Sequence, residues 1–302
     1  EKFLNVSQLL CENEKTFLET QDGFVCLDRR NIFFVETSGR ENLSYRQACA
    51  VESAARHNPS FEVFVLATSI KTAVSSDLAK HLTIAYGVRN LRIDYGSVVY
   101  GTPLWNWYKS EDWKKSQHQV VHLSDAMRLL LLWRHGGIYL DLDVVVLQPL
   151  DQLTNCTPSD NGINASNMFL AFSRFHPFLK KCISDLADTY DANGFAANGP
   201  VLLTKNIRKL CKGVKVSMET PTCGIRVLPT SVACPIPYER WKEYFDAGTN
   251  RNMDLSQSYM IHIWNKMSSG EKLVIGGGSL YERAMKANCP ITYQYTEQLE
   301  SI

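Results

Sequence analysis

From Asn31 onward, short and almost continuous apolar runs alternate with stretches of helical spacing. Asn31-Ile32-Phe33-Phe34-Val35-Glu36 predicts a buried strand ending in the small polar pair Thr37-Ser38, and Tyr45 to His57 predicts a helix closed by Asn58-Pro59. Phe61 to Ala67 predicts a second strand, 72–85 a helix, and Leu91 to Tyr95 a third strand. This β-α-β-α-β alternation implies a parallel sheet with helices on its faces, where ligands sit beyond the carboxyl ends of the strands. Glu36, Thr37 and Ser38 therefore fall at the expected ligand edge.

Residues 96–121, rich in Trp, Tyr and Gly, predict an irregular loop with a short helix. His122 to Pro149 is the most informative stretch. Ser124 is the expected N-cap of a helix that carries Asp125 and Arg128 on one face, and Gly136 is the expected stop. The strand expected from Ile138 alternates so that Tyr139, Asp141 and Asp143 share a side. Further along, Asn167 to Phe172 predicts a strand, His176 to Tyr190 an amphipathic helix, and Asn198-Gly199-Pro200 a turn into a helix ending at Leu210. Residues 212–257, with four prolines, predict a lid of loops. Ser258 to Trp264 predicts the last strand, and a helix follows from Ser279 after three glycines.

Composition narrows the setting. The 302 residues are 45% apolar and 21% charged, an ordinary globular balance, and Lys plus Arg (32) nearly cancel Asp plus Glu (31). A net charge of +1 gives no case for a nucleic-acid partner. Nine cysteines form no C-x-x-C pair, and four Asn-x-Ser/Thr sequons occur at Asn5, Asn42, Asn155 and Asn164. Together they favour the secretory pathway, where disulfides persist. Cys211 and Cys223 are the first expected bridge. No apolar run reaches the ~18 residues of a membrane span, and neither an initiator Met nor a signal peptide is present, so a soluble portion of a longer protein is expected.

Two carboxylates in a greasy strand are expensive. At roughly 5 Å and an effective dielectric near 20 they repel by about 3 kcal/mol before desolvation is counted. A divalent cation removes that penalty, and hard oxygen ligands suit Mg²⁺ or Mn²⁺. His262, on a distant strand, is the candidate third ligand and tilts the choice toward Mn²⁺. Read singly, Asp141 and Asp143 would only cap a strand, His262 would be a core histidine, and Asn198-Gly199-Pro200 a helix-start turn. Trp105, Trp107, Tyr108 and Trp113 offer either a sugar-stacking surface or core, and composition favours core. The pattern also resembles the nucleophile strand of haloacid-dehalogenase-type phosphatases, but that motif opens its fold and needs a later acidic pair that this chain lacks.

Ser124-Asp125-Ala126-x-Arg128 followed by Tyr139-x-Asp141-x-Asp143 resembles the sugar-nucleotide site of glycosyltransferases with a DXD motif. With Ile32 to Ser38, Val51 to Arg56, Gly136-Gly137, Asn198-Gly199-Pro200 and Ile261 to Lys266, the chain resembles the α-1,4-galactosyltransferase and α-1,4-N-acetylglucosaminyltransferase family over nearly everything from Asn31. The resemblance implies an α/β GT-A (Rossmann-like) catalytic domain over 31–302 with a mostly parallel sheet, preceded by a stem remnant over 1–30. It implies a UDP-sugar donor, Mn²⁺ or Mg²⁺, retention of anomeric configuration, and a terminal sugar of a glycolipid such as lactosylceramide as acceptor. It also implies a type II Golgi membrane protein with a lumenal catalytic domain and an anchor before Glu1.

Residue by residue, the resemblance makes Asp143 a metal ligand, Asp141 a holder of ribose and metal shell, and His262 the protein's second ligand. Asp125 and Arg128 would contact donor sugar and diphosphate, Tyr139 would pack by the nucleotide, and Thr37 and Ser38 would line the donor edge. Trp264 and Lys266 would close over the diphosphate. No carboxylate nucleophile is evident, so front-face transfer is expected, with Asn198 steadying the oxocarbenium-like sugar; the mammalian relatives look to have Gln there. A catalytically inactive carbohydrate-binding protein on the same fold is the alternative.

Overall fold

The computed structural model describes residues 16–20, 23–27, 30–40, 42–68, 76–211 and 223–302. Its centre is a seven-stranded sheet in the order β10-β8-β9-β6-β3-β4-β5. These are β3 (Arg30–Glu36), β4 (Phe61–Ala67), β5 (Arg89–Arg92), β6 (Gly137–Leu140), β8 (Cys156–Pro158), β9 (Phe169–Phe172) and β10 (Arg226–Leu228). Strands β5, β4, β3 and β6 run parallel, and β9 is antiparallel to both β6 and β8. The remaining strands form two ribbons, β1 (Thr16–Thr20) with β2 (Gly23–Leu27) and β7 (Val144–Val146) with β11 (Met260–His262).

The continuous apolar runs are explained by burial on both faces. Along β3, Ile32 and Phe34 enter one core cluster while Phe33 and Val35 enter the other. The first cluster packs against α1 (Tyr45–His57), the second against α3 (Gln119–His135). Helix α1 starts where expected because Ser44 and Gln47 cap each other reciprocally, and a disulfide ties its Cys49 to Cys289 at the end of α4 (Leu280–Asn288). The Cys211–Cys223 bridge is present, and Cys156, Cys182 and Cys234 are free and buried.

Several expectations change. The helix expected over 72–85 is α2 (Asp77–Tyr86), capped by Ser76, while 72–75 lie outside the described residues. Ser124 is not an N-cap: α3 begins at Gln119, so Ser124 and Asp125 sit well inside it and Asp125 gains nothing from the helix's positive end. The segment after Gly136 is not one strand. It leaves β6 at Leu140, turns through Asp141-Leu142-Asp143, and joins β11 in a separate ribbon as β7. Residues 96–118 hold short helices at Tyr95–Val99, Trp105–Ser110 and Asp112–Lys115. The expected lid carries β10 and helical turns at Thr230–Ala233 and Tyr238–Tyr244, with 212–222 outside the described residues. The β1–β2 hairpin buries Leu18 and Leu27 in the core shared with α3, which carries the folded body back before Asn31. Among the described residues no helix is long and apolar enough to cross a membrane.

Candidate active site

A cavity of about 710 Å³ opens at the carboxyl ends of β3 and β6. Its floor is the turn between β6 and β7. Because β7 pairs with β11 so that Val144 faces His262, the distant imidazole is delivered to Asp143, and the Ile263 N–H donates to the Asp143 carbonyl at 3.1 Å. One ligand atom each from Asp141, Asp143 and His262 lies within 4.8 Å of the others. Two carboxylates and one imidazole at this spacing fit a divalent cation with open positions left for oxygen ligands.

The electrostatics show why a cation is wanted there. Burial lifts the Asp141 carboxyl above its ordinary range against the pull of Arg128, and the neighbouring Asp143 charge adds to the lift. Burial works against the Asp143 charge too, yet His262 holds that carboxyl low, while Asp143 holds the imidazole well above its usual value despite burial. The His262 Nε2 lies 3.0 Å from Asp143 Oδ2.

Arg128 is the buried hub. Its Nε donates to the Ser124 carbonyl, Nη1 to Asp141 Oδ1 at 2.9 Å and the Asn167 carbonyl at 2.7 Å, and Nη2 to Ser124 Oγ at 2.8 Å, with Asp125 Oδ1 at 3.3 Å. Every nitrogen is thus engaged with protein, which leaves Arg128 to position Asp141 rather than to grip a diphosphate. Tyr139 does likewise. Its hydroxyl donates to Asp141 Oδ1 at 2.7 Å and its ring lies under the Arg128 guanidinium. Asp141 is therefore held through one oxygen.

Asp125 is fully enclosed. Its Oδ1 accepts from Asn167 Nδ2 at 2.6 Å, Oδ2 has no partner, and burial raises the carboxyl to about 6. Gly199 packs against it so closely that a Cβ there would strike Asn167 and sit 3.0 Å from both Asp125 oxygens. Asn198, by contrast, spends its amide on the backbone of Asp191, accepting at 3.0 Å and donating at 2.7 Å, and is absent from the cavity wall. The side chain expected to steady the sugar braces the 191–198 loop instead.

Thr37 and Ser38 line the cavity, with the Glu36 carboxylate accepting from the Ser38 and Gly39 N–H groups at 2.9 Å and so shaping the turn. Trp264 holds a left-handed backbone (φ +56°), a costly conformation stabilised by its indole N–H donating to the Ile236 carbonyl at 2.9 Å. That twist aims the Asn265 N–H at Asp143 Oδ2, 2.8 Å away. Lys266 reaches the cavity with its Nζ over the Phe195 ring. The aromatic group at Trp105 to Trp113 stays off the cavity, with Trp107 and Trp113 buried against each other, as core. Of the sequons, Asn42 is exposed, Asn155 has its Oδ1 accepting from the Ser173 N–H at 2.9 Å, Asn164 stands on the cavity wall, and Asn5 lies outside the described residues. Sequence reasoning missed Asn167, Asp160 and Tyr238, all on the wall, since no motif marks them.

Residues 44–160 match the glycosyltransferase sugar-binding region containing the DXD motif, and residues 171–296 match the alpha 1,4-glycosyltransferase conserved region. Lactosylceramide 4-alpha-galactosyltransferase of Homo sapiens is 35% identical over 272 residues, 87% of this chain and 76% of that protein. The chain belongs to the alpha-1,4-glycosyltransferase family. Alpha-1,4-N-acetylglucosaminyltransferase of Homo sapiens is 29% identical over 88% of this chain and 80% of its own length. The solved structure of PaToxG glycosyltransferase aligns with TM-score 0.49 and 19% identity over 61% of this chain and 70% of that one, too distant to carry an argument. This family member is a retaining glycosyltransferase, and the family assignment sets the phosphatase resemblance aside.

Proposed function

We propose that this transferase moves galactose or an N-acetylhexosamine from a UDP donor, in α-1,4 linkage with retention, to the terminal sugar of a glycolipid such as lactosylceramide. The observation that carries the proposal is the Asp141, Asp143 and His262 cluster, braced by Arg128 in a cavity at the carboxyl edge of the sheet. The Golgi lumen is the proposed setting, in keeping with two disulfides and the named relatives. A type II anchor before Glu1 belongs to the same proposal.

Asp141, Asp143 and His262 would hold Mn²⁺ or Mg²⁺, which when bound supplies Lewis-acid neutralisation of the departing diphosphate. The chain's own groups do the rest. Thr37 and Ser38 border the nucleotide, and Lys266 adds a positive charge beside the diphosphate. Asp125 Oδ2, unpartnered on the wall, accepts a hydroxyl of the donor sugar and fixes its orientation. Retention follows from attack on the face that the diphosphate leaves, its oxygen taking the acceptor's proton, because no carboxylate of the cluster is free to act as nucleophile.

The test is a panel of UDP-Gal, UDP-GalNAc, UDP-Glc and UDP-GlcNAc with lactosylceramide, assayed with Mn²⁺, with Mg²⁺ and with EDTA. Transfer of one sugar in α-1,4 linkage, abolished by EDTA, is expected. Sugar binding that ignores the metal, with neither hydrolysis nor transfer, would overturn the proposal in favour of a carbohydrate-binding protein.

A further inference from the structure

The cavity extends past the acidic turn. Followed in sheet order, the cavity runs from Glu36–Arg40 after β3, over Asp141 and Asp143 after β6, to the Ser159–Ala165 loop joining β8 to β9. On the transferase reading the base lies beside β3 and the diphosphate at the acidic turn, which leaves the third station for the sugars. Asp160, Val201 and Tyr238 stand there.

This end has the makeup of a sugar site. Val201 and Tyr238 are 52% and 41% exposed, large apolar surfaces on the wall of one cavity. The Asp160 loop is rigid by construction. The Asp160 N–H donates to the Asn164 carbonyl at 3.1 Å, Asn161 Oδ1 accepts from the Ile163 and Asn164 N–H groups, and the Ala165 N–H donates to Thr204 Oγ1 at 3.0 Å. The N–H groups of Ile163, Asn164 and Ala165 are thereby spent on other acceptors. Asp160 Oδ1 is left buried with no partner, although carboxylate oxygens in proteins are hydrogen-bonded as a rule.

We propose that Asp160 and Tyr238 form the acceptor subsite, with the Tyr238 ring as stacking platform and Asp160 Oδ1 accepting a hydroxyl of the acceptor's terminal sugar. The subsite takes neutral sugars and rejects acidic ones, because a sialic acid or sulfate would meet the Asp160 carboxylate. This rests on the transferase reading and adds to it which face takes the acceptor and which acceptors are refused.

The experiment measures binding, so it does not depend on turnover. Methyl β-lactoside, 3′-sialyllactose and UDP are each titrated into the wild type, Asp160→Asn and Tyr238→Ala by calorimetry in the presence of Mn²⁺, the sugars with UDP bound. Both variants should bind methyl β-lactoside about tenfold more weakly, the loss of one charge-assisted hydrogen bond or one stacking contact, and bind UDP as the wild type does. Asp160→Asn should also narrow the preference for lactoside over sialyllactose. A fall in UDP affinity with lactoside binding unmoved would assign Asp160 to the diphosphate and overturn the subsite. Wild type that binds UDP but no lactoside overturns the subsite alone, whereas wild type that binds no UDP overturns the transferase reading itself. Tyr238 is exposed, so its variant keeps the test open should Asp160→Asn fail to fold.

Discussion

Arg128 and Asp143 are both charged residues of one site, yet they bear on stability to different degrees. Arg128 is 4% exposed and neutralises Asp125 and Asp141 at once, so removing it strands two carboxylates. Arg128→Ala should lose about 3–5 kcal/mol of unfolding free energy, read from denaturant melts. A loss below 1 kcal/mol would mean that the carboxylates protonate or hydrate freely. Asp143 holds the His262 imidazole and the Asn265 N–H but also repels Asp141. Asp143→Ala should therefore cost only about 1–2 kcal/mol of stability. Its turnover should drop on the order of 10²–10³-fold for want of charge neutralisation at the leaving group. Near-normal turnover would remove Asp143 from the metal site. The identities of these residues were legible from the DXD pattern and its spacing. Their division of labour was not, since only the coordinates show that the guanidinium is used up inside the protein.

At the scale of elements, helix α3 carries functional groups along its length and a pH-sensitive group at its end. His135 occupies the last turn, its Nδ1 buried without a partner, and burial pushes the imidazole down to about 4, with the Arg134 and Arg174 charges adding to the effect. A histidine depressed in the fold contributes stability in full above its unfolded value near 6.5, and that stability is lost as pH falls toward 4. The loss amounts to up to about 3 kcal/mol. Thermal melts from pH 7 to pH 4 should show this slope in the wild type and a shallower one in His135→Gln. Equal slopes would place the titration elsewhere. The helix itself was legible, with its Gly136 stop, but its start was not. Apolar spacing weakens before His122, and Ser124 imitates a cap while its hydroxyl is bonded to Arg128 and Tyr139 inside the helix.

Across the whole molecule, the Cys49–Cys289 bridge ties α1 to the last helices over a separation of 240 residues, whereas Cys211–Cys223 closes only 12. Loop entropy alone gives about 5 kcal/mol for the first and about 3 for the second. Unfolding of Cys49→Ala/Cys289→Ala and Cys211→Ala/Cys223→Ala variants should rank in that order, and the reverse order would mean that local packing outweighs chain entropy. The short bridge was readable from spacing; the long one joins two helices whose proximity no local pattern announces. The sequence by itself determined the parallel core and the acidic motif, because strand and helix periods and the cost of paired carboxylates are properties of neighbouring residues. It also offered His262, on a distant apolar strand, as a candidate third ligand. Only the tertiary structure decided that Asp141 and Asp143 occupy a turn between two sheets, that pairing of β7 with β11 carries the imidazole to them, and that Asn198 spends its amide on the Asp191 backbone. Those outcomes depend on which backbone hydrogen bonds form between segments far apart in the chain, and side-chain pattern along a segment does not encode its distant partner.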